Sequence, residues 1–241
     1  MLATPGGKSR ISLRAIGRWY DQPAGEYHPM LMYSNPNLLL NGDFQVWQRG
    51  TEFSNIITNE YTVDGWRILG DSANKMEIKK APHGAYVAGT LCAWIEGNLE
   101  GETVTFSANI DGTLLSQTML VKSGWKGYDI PFADKKISIS TQVVNNNTKL
   151  EIYLYNVGKT AHNVKYCKLE YGAVATSNYP RSYEEELLRC QRRYVMLRDV
   201  YAGRYWKNLY LGFAFPVEMR IKPIIAYKFC LLYTSDAADE L

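Results

Sequence analysis

The chain has 241 residues, 46% of them hydrophobic, and a formal net charge of +3. That length suits about one and a half domains of a folded globular protein, and so small a surplus of positive charge makes no case for nucleic acid as a partner. No apolar run is long enough to span a bilayer, and residues 1–10 lack the apolar middle of a signal peptide, so no membrane insertion is expected.

The aromatic content is high, with 18 Tyr and 6 Trp. Such residues fill sandwich cores, and they also build surfaces that hold sugars or other proteins. Residues 1–36 are read as a linker or the end of an upstream module. They open on a Pro-Gly-Gly turn and continue as a short alternating piece with Ile11, Leu13 and Ala15 on one side.

From residue 37 to residue 174 the pattern is that of one antiparallel β-domain. Leu38 to Leu40 enter a strand, and Asn41-Gly42-Asp43 supplies the positive-φ chemistry of a reversal or bulge. Residues 61–69 read as a second strand, with Trp66 buried. Residues 85–95 alternate as one strand, with Val87, Leu91, Ala93 and Ile95 on one face and Tyr86, Thr90, Cys92 and Trp94 on the other. Residues 103–111 place Val104, Phe106, Ala108 and Ile110 on an apolar face. Further strand-like runs cover 114–121, 136–144, 149–157 and 163–170, with turn signals at Asp111-Gly112, Ser123-Gly124 and 145–147. About eight short strands so spaced predict a β-sandwich or jelly roll.

The sheet pattern closes at Gly172, and residues 175–200 hold a connection and an amphipathic helix. Ser182 and Glu185 have the spacing of a capping box, and Glu184, Glu185 and Glu186 suit the positive end of the helix dipole. Tyr183, Leu187, Cys190, Tyr194 and Leu197 recur at heptad spacing, which predicts a two-heptad seam that either joins subunits or docks on its own sandwich. Residues 201–229 read as an incomplete C-terminal β-module, with alternation over 208–215 and with Pro216 and Pro223 at edges or turns. Residues 230–240, CLLYTSDAADE, read as the translation of a transposon-end adapter used to tag sequencing libraries. Residues 230–241 are therefore set aside from fold reasoning, with the biological sequence expected to stop near Phe229.

Two groups of strings carry a family resemblance. The first is NLLLNGDFQVWQRG at 37–50 with Tyr61-Thr62, Asp64 and Trp66. The second is KLEYG at 168–172, then Ala175-Thr176, Arg181-Ser182-Tyr183, Glu186-Leu187, Cys190-Gln191-Arg192, Met219-Arg220 and Pro223. Together they resemble the C-terminal parts of phage tail fibre and related virion proteins, in which a jelly-roll sandwich precedes a helix and a small β-module. A departure is the doubled Arg192-Arg193 before Tyr194, where such proteins carry a single Arg.

The resemblance implies a receptor-facing structural part of a virion tail, made in the host cytoplasm. Its partners would be other tail proteins, and homo-oligomers, trimers among them, are expected. Asn41, Gly42, Asp43, Phe44, Trp47, Arg49, Trp66, Glu170, Cys190 and Arg192 are the motif positions, read as structural. Trp47 is expected to pack at the sandwich edge while Arg49 ties the turn to a carboxylate. The Asn-Gly-Asp-Phe opening is also similar to galactose-binding-like jelly rolls, which stack aromatic rings on a pyranose. This makes a host-surface glycan the expected ligand, with Trp94, Tyr86, Trp125, Tyr153 and Tyr155 as the candidate rings. For each ring the alternative is cover by a sheet or a neighbouring subunit. Jelly rolls of this type also hold structural calcium near the chain ends. Asp43 and Glu170 are the acids available for one, but two acids do not make a site and no cofactor is predicted.

Catalysis has little support in the residues. There is no Gly-x-Ser-x-Gly and no phosphate-cradling loop, and His28, His83 and His162 are scattered. Cys92, Cys167 and Cys190 form no CxxC pair and no disulfide framework. The reading is a non-enzymatic attachment protein. The alternative is a carbohydrate-binding module of a polysaccharide-degrading enzyme whose catalytic domain lies outside this chain.

Overall fold

An alternating run buries one face of its strand only by packing against a second layer. The computed structural model describes residues 10–15, 18–23, 34–69, 76–132, 135–154, 160–197, 201–205 and 208–226. A hairpin of β1 (Arg10–Ala15) and β2 (Arg18–Pro23) lies in the region read as linker. The strands that follow are β3 (Glu52–Ile56), β4 (Glu60–Tyr61), β5 (Trp66–Leu69), β6 (Met76–Lys80), β7 (Ala85–Ala88) and β8 (Thr90–Ile95). Next come β9 (Thr103–Ile110), β10 (Thr113–Leu120), β11 (Lys126–Phe132), β12 (Lys135–Val144), β13 (Asn147–Leu154) and β14 (His162–Tyr171).

These form two 6-stranded sheets, ordered β10-β9-β14-β7-β6-β3 and β11-β12-β13-β8-β5-β4, with antiparallel pairing throughout. The protein is a β-sandwich. Val104, Phe106, Ala108 and Ile110 face Leu91, Ile139, Leu150 and Ile152 in one buried cluster, which also contains Trp66 and Phe44. Each of the Val, Leu, Ile and Phe side chains contributes roughly 1.5–3 kcal/mol by leaving water. Two hairpins turn where the residues demand it. Asp111-Gly112 and Asn145-Asn146 have φ of 49°, 82°, 50° and 61°, the left-handed pairs that match the twist of two-residue hairpins.

Several expectations are corrected. Residues 85–95 are not one strand, because the chain leaves the first sheet at β7 and enters the second at β8. Gly89 makes the crossing, and a Cβ there would stand 2.7 Å from Ile68 Cδ1. Residues 61–69 likewise divide into β4 and β5 around a turn at 63–65. Strands β3, β6 and β11 escape the pattern. β3 is mostly exposed and its register shifts between Phe53 and Ile56, while β11 carries Gly127 and Pro131 and lies at a sheet edge, where a missing N–H is tolerated.

Residues 37–50 form no strand. They fold into a turn that leans on β14, with Leu38 N donating to Leu169 O (2.8 Å) and Cys167 N to Gly42 O (2.8 Å). A Cβ at Gly42 would fall on Asn37 Nδ2 and the Cys167 carbonyl, so only glycine fits. Asn41, at φ 51°, is the centre of this clip. Its Nδ2 donates to Val46 O and Asp64 O, both at 2.9 Å, and its Oδ1 accepts from Gln45 N (2.8 Å) and Val46 N (3.0 Å). Its own carbonyl takes the Trp66 indole (3.1 Å). Trp47 packs against the core and donates to Phe44 O, and Arg49 reaches Asp64 at 3.3 Å, as the sequence suggests.

The helix α1 (Tyr183–Gln191) starts where expected: Ser182 Oγ accepts from Glu185 N at 3.2 Å. The reciprocal half of the box is replaced, because the Glu185 carboxylate pairs with Arg181 (3.3 Å). The two-heptad seam does not form. Arg192 is the C-cap, so Tyr194 and Leu197 lie beyond the helix, and Tyr183 is exposed. Nine residues are too few to hold a helix unaided. Cys190 and Leu187 pack instead on Leu40 and Val46 of the clip, which makes this helix part of its own sandwich. The doubled arginine falls past the helix end, and Arg193 bonds Glu96 (3.2 Å) and Trp94 O (3.0 Å).

The C-terminal module is a hairpin of β15 (Tyr201–Tyr205) and β16 (Asn208–Gly212), followed by exposed Phe213 and Phe215 in edge contact. Residues 230–240 lie outside the described residues. Among the described residues no helix is long and apolar enough to cross a membrane.

Asn41→Ala removes four buried hydrogen bonds and places a Cβ residue without local polar compensation at positive φ. We expect a loss of about 3 kcal/mol or more in urea unfolding, and a loss smaller by about 1 kcal/mol for Asn41→Gly, which tolerates that φ.

Candidate functional site

The two outer faces of the sandwich differ in what covers them. On the first sheet the outward side chains Thr105, Lys168 and Glu170 are buried. A strap of residues 34–37 and 172–178 crosses them. Lys168 Nζ bonds Thr176 Oγ1 (2.7 Å), Ser177 O (2.9 Å) and Ser34 Oγ (3.2 Å), and lies 3.2 Å from Glu170. Glu170 accepts from Thr176 N and Oγ1, and Thr105 Oγ1 donates to Gly172 O (2.8 Å). Glu170 is therefore a structural anchor. Asp43 takes Asn178 instead (2.6 Å), so the two acids considered for calcium are engaged by different partners.

The outer face of the second sheet carries the rings. In the ladder, Lys149 stands opposite Trp94, Glu151 opposite Cys92, and Tyr153 opposite Thr90. Side chains two residues apart on β13 point the same way at roughly 7 Å spacing, so Lys149, Glu151 and Tyr153 form a row about 13 Å long. Lys149 Nζ lies 5.7 Å from the Trp94 ring centroid and 4.9 Å from that of Trp125, placing the ammonium between two indoles. Glu151 then accepts from both Lys149 Nζ and the Tyr153 hydroxyl. Trp125 is 49% and Tyr153 36% exposed, and Trp94 is half-buried.

The strands beside this row carry short side chains. Ser140 and Gly127 continue the Glu151 row across β12 and β11, and Ser138 and Asp129 continue the Tyr153 row. These short side chains leave the neighbouring strands lower than the rings. On the other flank Arg67, beside Cys92, stands 5.7 Å from the Tyr61 ring, and its Nε is buried without a hydrogen-bond partner. Burial pushes the Cys92 thiol up to about 12, so at neutral pH it is a neutral packing group and not a nucleophile. Cys167 and Cys190 are raised for the same reason.

Of the five candidate rings, a subset of which is expected to form a platform, the structure brings together Trp94, Trp125 and Tyr153. Tyr86 lies in the other sheet, 5.7 Å from Lys79 Nζ, because the strand supposed to carry it with Trp94 is divided at Gly89. Tyr155 lies outside the described residues. Lys149, Glu151 and Arg67 were not anticipated. The alternation in residues 149–154 places Lys149, Glu151 and Tyr153 on one side and could have pointed to the first two, whereas Arg67 joins only through the β5–β8 pairing.

The motif residues hold the scaffold. Asp64 gathers Gln48 N (2.7 Å), Gln48 Nε2 (2.9 Å) and Arg49 (3.3 Å). Burial raises the Asp64 carboxyl against these lowering contacts, and burial lowers the Arg49 guanidinium, whose Cζ sits 3.4 Å from the Tyr194 ring centroid. Among the described residues no group of three or more His, Cys, Asp or Glu side chains is placed to hold a metal.

Glu151→Ala deprives Lys149 and the Tyr153 hydroxyl of their shared acceptor. Chemical unfolding should report a loss of roughly 1–3 kcal/mol, with Glu151→Gln closer to the parent. Comparison with protein-family models, with curated proteins and with solved structures gives no match to this chain.

Proposed function

We propose that the chain is a non-enzymatic structural component of a phage tail fibre or tail tip that holds a host-surface glycan on the outer face of its second sheet. The observation that carries the glycan part is the row Trp125–Trp94–Lys149–Glu151–Tyr153 on a face the strap leaves open. An indole offers a flat apolar surface to the C–H face of a pyranose, while a lysine and a phenol, both held by the buried Glu151, offer polar contacts to its hydroxyls. Lys149 and Glu151 neutralise each other, so the row favours hydroxyl recognition over charge.

The tail assignment rests on the strings around Asn41 and Glu170. Homo-oligomerisation and contacts to other tail proteins belong to the same reading. The docked helix removes one support for a trimer, since its apolar residues Cys190 and Leu187 are spent on the clip.

A glycan-array screen of the full chain with Trp94→Ala and Trp125→Ala tests the site. Loss of the recognised glycan in either variant, with the unfolding midpoint near the parent value, is the expected result. Unchanged binding in both variants removes the row as the site.

A further inference from the structure

A second concavity lies at the other sheet, where four segments converge. The β6–β7 turn at 81–84 meets the start of β14, the clip at Asp43 and the strap at Asn178, and together they enclose a cleft of about 630 Å³. β14 is irregular here, its register shifting between Val164 and Tyr166, so Lys165 and Tyr166 both come to line the cleft.

The charge of the cleft is lopsided. Lys80, His83 and Lys165 are exposed and form no ion pair among the described residues. Arg181 also lines it but is tied to Glu185 (3.3 Å) and Glu186 (3.2 Å). Against the two free lysines stands one carboxylate, Asp43, which accepts from Asn178 Nδ2 at 2.6 Å. Asn178 Oδ1 is buried with no hydrogen-bond partner, and Asn178 serves the cleft by holding Asp43 in place. The ring of Tyr166 is half-buried beside them. Burial and the nearby Asp43 carboxylate raise the Tyr166 phenol, which keeps it a neutral donor.

We propose that this cleft is a second binding site, for a sugar residue carrying a carboxylate. A bare anion would engage the lysines but not Asp43 or Tyr166. A neutral sugar would use those two and leave the lysines unpaired. A uronic acid uses both sets: its carboxylate meets Lys80 and Lys165, and its hydroxyls meet Asp43 and Tyr166. The site shares no residue with the Trp94–Trp125 row and stands whether or not that row binds a glycan.

Heteronuclear NMR on the full chain tests it, with glucuronate, glucose and sodium acetate as probes at matched ionic strength. Glucuronate should cause saturable shifts at the amides of Ala81, Gly84, Lys165 and Asn178. Glucose and acetate should cause much smaller ones. Lys80→Ala with Lys165→Ala should weaken glucuronate by about tenfold. Trp94→Ala should leave the glucuronate response intact, which separates this site from the row on the second sheet. The proposal is overturned by any of three results: no saturable shift, glucose or acetate matching glucuronate, or unchanged affinity in the folded double variant.

Discussion

The sandwich depends on one buried asparagine whose every polar group is used. Asn41 is 1% exposed, its side chain makes four bonds, its carbonyl holds the Trp66 indole, and its N–H donates to Glu186 of the helix at 2.5 Å. A residue at positive φ with a short amide can meet the turn from inside, and few other residues can do so. Through it the clip, the core tryptophan and the helix become one unit. Phe44 and Trp66, with centroids 5.1 Å apart, pack beneath this hub.

The helix illustrates the consequence. Glu186 is buried at a helix position where a carboxylate is costly unless paired. It is surrounded by Arg181 (3.2 Å), Arg189 (3.3 Å) and the Asn41 N–H, so the charge is shared between helix and clip. Removing either side would leave the other exposed to an uncompensated charge. That mutual requirement holds a nine-residue helix that could not persist in water.

The same economy decides which face of the sandwich is free. The strap satisfies Lys168 and Glu170 by crossing the first sheet, which covers that face over β9 and β14. On the second sheet Glu151 and Cys92 are buried among their neighbours, while Trp125 and Tyr153 stand exposed above them. Both candidate sites thus follow from where the chain ends of the sandwich run, more than from the strands themselves.

The alternation of residues 103–110 and 137–154 determined by itself that these segments would be antiparallel strands with one buried face, because period-two burial needs a second layer to cover that face. The turn chemistry of Asp111-Gly112 and Asn145-Asn146, the Ser182 cap and the burial of Trp66 were equally local, and each is where the sequence placed it. Three things were not local. Gly89 looks like any residue in an alternating run, and only its approach to Ile68 divides the run and sends Tyr86 and Trp94 to opposite faces. The apolar spacing of the helix fits a coiled-coil seam and a docking face equally well, and the clip chose between them by offering Leu40 and Val46. That Trp94 and Cys92 stand beside Lys149 and Glu151 depended on strand register, which is set by pairing between segments more than fifty residues apart. Local periodicity fixes which side of a strand a residue takes. Only tertiary pairing fixes which other residues stand beside it.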